Sequence, residues 1–145
     1  MKPIVIGVCC LVIILALVGG VGLASGLVLR HLVQTLPLWV GVALGFRRAR
    51  AVGWVGLPLF LFWLLLMTLI WLYLLGVSSI LSGHFSELEI AMTIVVGTAS
   101  LVGIAMCVRF KSSFSAVSAV TVFVVVAASQ WVCFRASLTP AIAHH

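Results

Sequence analysis

The sequence contains no aspartate and no asparagine, and its only acidic residues are Glu87 and Glu89. Without asparagine there is no acceptor for N-glycosylation, and without aspartate most metal-binding and carboxylate-based catalytic motifs are absent. Charged residues make up 7% of the 145 residues, whereas 65% are hydrophobic. That is too little polar surface to cover a water-soluble globule of this size. We therefore expect an integral membrane protein, and we do not expect an enzyme.

The sequence has long hydrophobic runs that contain no charged residue. No Asp, Glu, Lys or Arg lies between Arg50 and Glu87, and residues 57–76 form an almost unbroken apolar run. About 20 apolar residues at 1.5 Å each match the roughly 30 Å thickness of the hydrocarbon layer. The pattern predicts an all-α, polytopic transmembrane helix bundle that forms a single domain over residues 1–145. Five spans are preferred, at residues 4–20, 27–46, 54–76, 89–108 and 114–134.

The first 46 residues leave the number of spans open. Two helices joined by a turn at residues 19–22 give five spans, because residues 4–46 in helical form extend about 64 Å, close to two bilayer crossings. One long helix followed by a short interfacial helix would give four spans. A cleaved secretory signal, with Lys2 before an apolar segment and a cleavage site at residues 22–24, would also leave four.

Lysine and arginine are unevenly distributed about the predicted spans. In the five-span arrangement, two of the eight basic residues, Arg30 and Arg135, fall on one side, and the other six fall on the opposite side: Lys2, Arg47, Arg48, Arg50, Arg109 and Lys111. Because cytoplasmic loops are enriched in Lys and Arg, the 47–52 and 109–113 loops are predicted to be cytoplasmic and the C-terminus to lie outside. We predict the cell membrane as the location, with the bacterial inner membrane preferred.

Four polar residues recur within one predicted span: Arg30, His31, Gln34 and Thr35. At this spacing they would form a stripe about two turns long near the outer end of a helix, and we call these four residues the polar stripe. Ionisable side chains inside a membrane are candidate functional groups. The preferred interpretation is structural: Arg30 anchors the helix at the headgroups, and Gln34 hydrogen-bonds to a neighbouring helix.

Small residues recur at every fourth position near the C-terminal end of the chain. They are Ala99, Gly103 and Cys107 in one predicted span, with Ser115 and Ala119 at the start of the next. This spacing lets helix backbones approach closely. We infer that the last two spans form the tightly packed centre and that the aromatic-rich third span faces lipid or a partner.

No metal or cofactor is expected. Ser86 and Glu89 have the Ser-x-x-Glu spacing of a helix capping box, which accounts for one acidic residue, and Glu87 complements the helix dipole. His84 with the two glutamates matches no standard metal motif. A haem site would need two histidines inside the spans, and only His31 lies in one.

Two classes of function remain. The first is a small structural or accessory membrane protein that packs with itself or with another integral membrane protein, in keeping with its short loops and large apolar surfaces. The alternative is a subunit of an oligomeric transporter or channel for a small solute or ion, with the polar stripe near its outer mouth. The expected partners are the lipid bilayer and a second integral membrane chain. Nucleic acid is not expected, because the basic residues lie at the ends of apolar runs.

Overall fold

The computed structural model describes residues 1–81 and 83–143, about 80% of the chain is helical, and the described residues contain no strand. Five helices are long and apolar enough to cross a membrane. They are α1 (Lys2–Ser25), α2 (Val28–Phe46), α3 (Val52–Leu74), α4 (Glu87–Val108) and α5 (Ala116–Ser137), and a short helix, α6 (Pro140–Ala143), follows them. The predicted all-α class with five long apolar helices is confirmed.

The first turn lies later in the chain than predicted. Instead of breaking at residues 19–22, α1 continues through them as a π-helical segment, Leu15–Gly22, and ends at Ser25. Gly26 follows with a φ of 71°, a left-handed conformation that glycine adopts without steric penalty. The prediction of a turn at residues 19–22 was wrong. In apolar surroundings an opened backbone leaves amides without partners, so glycines that favour turns in water can remain helical.

Helix α1 supplies a large part of the core. Ile6, Cys10 and Ile13 have no exposed surface. The helix packs mainly against α2 and α4. Cleavage at the predicted signal site would remove all three of these side chains from the core.

Helices α1 and α2 pack with their backbones in contact. A β-carbon added at Gly45 would lie 2.5 Å from the Cα of Gly7 and 2.8 Å from the carbonyl oxygen of Pro3. One turn away, a β-carbon at Gly41 would lie 2.7 Å from the Sγ of Cys10. Gly41 and Gly45 form a Gly-x-x-x-Gly pair, which allows two helices to pack with their backbones in contact. The sequence analysis missed this pair.

Around the bundle the helices follow the order α1, α2, α5, α3, α4, and α4 returns to α1. Leu59, Phe60 and Trp63 of α3 are at most 1% exposed, so the aromatic-rich helix lies in the core. Helix α5 is peripheral: 11% of its most apolar segment is buried, against 28–44% for the other four. The prediction that the last two spans form the tightly packed centre was therefore wrong, and α3, which was predicted to face lipid or a partner, has one buried face as well as an exposed one.

The small residues of α4 do form a packing surface, but their partner is α3. Ala99, Gly103 and Cys107 are all buried. A β-carbon at Gly103 would lie 2.5 Å from the ring of Phe60, so the missing side chain makes room for an aromatic ring rather than for a second backbone. On α5, Ala119 is buried, whereas Ser115 is exposed and caps the helix by accepting from the Ser118 amide at 3.2 Å.

We expect Gly45→Ala to lower the free energy of unfolding in detergent by about 1–3 kcal/mol, because the new methyl group would overlap backbone that cannot rotate away. The matched control is Gly97→Ala, since no atom lies within 4 Å of a β-carbon at that position. The control should be neutral or up to about 1 kcal/mol more stable, from helix propensity. Denaturation in sodium dodecyl sulfate, followed by tryptophan fluorescence, measures both. Equal stabilities for the two variants would contradict the backbone contact.

Candidate functional site

The antiparallel helices give the bundle two chemically different ends. At one end, the Lys2 Nζ donates to the carbonyl oxygen of Arg109 at 3.1 Å, and the Trp54 Nε1 donates to the Ser112 Oγ at 2.9 Å. We call this the basic end, since residues 2, 47, 48, 50, 109 and 111 all lie there or in its turns. The opposite end of the bundle, where α4 begins with Glu87 and Glu89, is called the glutamate end.

A cavity of about 240 Å³ opens near the glutamate end, and all five long helices contribute to its wall. We call it the polar cavity. Its deep wall includes Trp63, Met67 and Val96, each at most 5% exposed. Its rim includes the exposed Ser25 and the half-buried Glu89. The π-helical segment of α1 also borders the cavity. The site is therefore a blind cavity that is open at one end.

One chain of hydrogen bonds in the cavity wall has a defined direction. The Ser137 Oγ donates to the carbonyl oxygen of Phe134 at 2.6 Å, so it accepts from the Gln34 Nε2 at 3.0 Å. That orientation points the Gln34 Oε1 at the Nδ1 of His31, 3.0 Å away. The Nδ1 must then carry the proton and donate, because an amide oxygen only accepts. In a neutral His31, the Nε2 is left as an acceptor.

Helix α5 is held to α2 by this chain and by one further bond. The Gln130 Nε2 donates to the carbonyl oxygen of Gln34 at 3.0 Å. Both glutamines are at most 3% exposed. The interpretation that Gln34 hydrogen-bonds to a neighbouring helix is thus confirmed.

Two buried donors in the cavity wall have no acceptor within the described part of the chain. They are the Arg30 Nε and the Trp63 Nε1. A buried polar group without a partner loses about 1–3 kcal/mol of hydration that nothing replaces. Both donors belong to side chains that line the polar cavity, although the two nitrogen atoms themselves are buried.

The structure divides the polar stripe. Arg30, His31 and Gln34 line the polar cavity. Thr35 does not line it: it is fully buried, and its hydroxyl donates to the carbonyl oxygen of Leu32 at 3.1 Å in its own helix. The interpretation that all four residues form a single polar surface was therefore too broad.

Glu89 has two roles, and the sequence analysis found one of them. The capping box is confirmed: the Ser86 amide donates to the Glu89 Oε2 at 2.7 Å, and the Glu89 amide donates to the Ser86 Oγ at 3.3 Å. The same carboxylate side chain lines the polar cavity with Arg30. The sequence could have indicated this second role, because α2 and α4 both begin at the glutamate end, which brings their first turns to the same end of the bundle. Trp63 and Met67 gave no such signal, because nothing in an apolar run marks a cavity wall.

These features define a bundle of five long apolar helices with one blind, partly polar cavity near the end opposite its basic residues. In residues 1–81 and 83–143, no three His, Cys, Asp or Glu side chains lie together in a way that could hold a metal ion. Comparison with known proteins finds no matching family model, no matching curated protein and no matching solved structure.

We expect Gln34→Leu to destabilise the bundle by roughly 1–2 kcal/mol, because it removes two side-chain hydrogen bonds and leaves the His31 Nδ1–H without an acceptor. The matched control is Thr35→Val. Thr35 is the next residue in the chain and is equally buried, and its substitution removes only a hydrogen bond within its own helix. The measurement is the free energy of unfolding in detergent. A loss no larger than that of the control would show that the hydrogen bonds of the Gln34 side chain contribute nothing.

Proposed function

We propose that this chain is a non-catalytic accessory protein of the cell membrane that assembles with a second integral membrane chain through the exposed surface of α5. The observation that carries the proposal is the composition of that surface. From position 116 to 129, every exposed side chain of α5 is Ala, Val, Ser or Thr.

Helices α2 and α3 expose larger apolar side chains, whereas Trp131, the exposed tryptophan of α5, lies beyond this stretch. Leu61 and Leu65 of α3 and Leu36 and Trp39 of α2 are all exposed. Lipid chains accommodate bulky side chains, whereas a second helix can approach closely only over small ones. The exposed surface of α5 between positions 116 and 129 therefore has the composition of a helix–helix interface, and the exposed surfaces of α2 and α3 have that of a lipid boundary.

The hydroxyl groups on α5 do not oppose this assignment. The Thr121 Oγ1 donates to the carbonyl oxygen of Val117, and the Ser129 Oγ donates to that of Val125, each at 2.8 Å. Both donors are satisfied within the helix, so they impose no desolvation penalty on assembly. Each oxygen keeps lone pairs that can accept from a partner helix.

The proposal includes an orientation. The basic end carries six of the eight Lys and Arg residues, so we place it in the cytoplasm and the polar cavity towards the outer surface. A bacterial inner membrane fits this arrangement.

A transporter or channel subunit is the second candidate, supported by the charged rim of the polar cavity. Against it, Trp63, Met67 and Val96, which line the cavity, belong to the buried apolar core. A pathway would then require several copies. Arg30→Gln separates the two candidates: an accessory protein should keep its assembly with this substitution, whereas an anion pathway should lose flux.

Photo-crosslinking in native membranes tests the assembly. We expect benzoylphenylalanine at position 124, on the exposed surface of α5, to give one discrete adduct larger than the monomer. Mass spectrometry of that adduct identifies the partner as a second copy or a different protein.

The matched control is benzoylphenylalanine at position 65 of α3. Leu65 is 60% exposed and Val124 is 57% exposed, and both lie near the middle of their helices. The control should crosslink to lipid only. Absence of a discrete adduct from position 124, or the same adduct from both positions, would contradict the proposal.

A further inference from the structure

We propose that the polar cavity binds an anionic amphiphile, with a carboxylate or phosphate head at Arg30 and a single apolar chain reaching Trp63. This inference does not depend on assembly through α5.

The size of the cavity limits the ligand. A cavity of about 150 Å³ in a protein core holds one benzene molecule. By the same packing, the 240 Å³ of the polar cavity accommodates roughly ten non-hydrogen atoms. That is one short acyl or isoprenoid chain with a small head, and less than the two chains of a whole phospholipid.

The polarity of the wall sets the direction of the ligand. Towards the deep end the wall is apolar, with Leu17, Met67 and Val96. The charged side chains, Arg30 and Glu89, belong to the first turns of α2 and α4, at the open end. A molecule with one polar and one apolar end therefore enters with the apolar end first, and its head remains at the rim.

The charge at the rim favours an anion. The Glu89 Oε2 already accepts from the Ser86 amide at 2.7 Å and from the Ser86 Oγ at 2.8 Å, so part of its charge is compensated within the cap. The Arg30 Nε is buried and has no acceptor among the described residues. The Arg30 side chain lines the cavity, and bonds between its guanidinium and a carboxylate or phosphate oxygen are among the strongest hydrogen bonds in proteins.

The side chains beside Arg30 are compatible with that head. His31 donates through Nδ1 to Gln34, and its remaining ring nitrogen can accept from a protonated head or donate to an ionised one. Ser25 at the rim donates to the carbonyl oxygen of Val21 at 2.8 Å and keeps acceptor capacity only. Arg30 is thus the group that discriminates an anionic head from a neutral one.

The test uses decanoate with a photoactivatable diazirine at its terminal carbon, added to the full chain in phosphatidylcholine nanodiscs. We expect saturable labelling, mapped by mass spectrometry to the deep wall at Trp63, Met67 or Val96. Unlabelled decanoate and decyl phosphate should compete, whereas decanol, which has the same chain without the charge, should not.

Three variants locate the site. Arg30→Gln should weaken labelling at least ten-fold, and the matched control Arg135→Gln, an arginine outside the cavity at the same end of the bundle, should leave it unchanged. Val21→Phe, which fills the cavity from α1, should abolish labelling without lowering the stability of the bundle in detergent.

Phosphatidylglycerol in the nanodiscs distinguishes the sources of the ligand. Competition by this lipid would identify a membrane phospholipid that inserts one chain, and absence of competition would identify a free single-chain anion. The inference is overturned if labelling is not saturable and spreads over lipid-facing positions such as Leu65, if decanol competes as well as decanoate, or if Arg30→Gln labels like Arg135→Gln.

Discussion

The backbone contact between α1 and α2 at Gly7 and Gly45 is the constraint around which the bundle is arranged. In hydrocarbon, apolar side chains gain little by leaving lipid for a helix interface, so association depends on how closely surfaces fit. The Gly-x-x-x-Gly pair removes the side chains that would hold α1 and α2 apart. The paired helices then present Ile6, Cys10 and Ile13 to a core completed by α3 and α4. Helix α1 is therefore part of the packed core of the bundle.

The two ends of the molecule are built by different interactions. Towards the basic end, glycine and small residues bring the helices together, as Gly103 does for the ring of Phe60. Towards the glutamate end, the contact between α2 and α5 is polar, through Gln34, Gln130 and Ser137. Polar contacts require specific partners but not close backbones, and the space left between the helices at this end is the polar cavity. The same residues that hold α5 in place therefore also shape the candidate binding site.

Much of the fold could be predicted from sequence, because the bilayer thickness fixes the length of an apolar helix and the charges mark its ends. The capping box at Ser86 and Glu89 is local and was predicted for the same reason. The turn after α1 was misplaced, since the glycines at positions 19, 20 and 22 favour a turn only where water can satisfy the opened backbone. The neighbours of each helix could not be predicted, because small residues such as Gly103 indicate close packing without indicating the partner. The cavity depends on residues from five helices, and no local pattern brings Arg30, Glu89 and Trp63 together.

The account rests on five helices that cross a bilayer with the basic end in the cytoplasm, and site-specific labelling tests this most directly. Lys2→Cys at the basic end and Ser79→Cys at the glutamate end would each be treated with a membrane-impermeant maleimide in sealed spheroplasts. The unsubstituted chain is the background, because its four thiols lie within the long helices. The account predicts labelling of position 79 in intact spheroplasts and of position 2 only after permeabilisation. Labelling of both positions from the same side would contradict it.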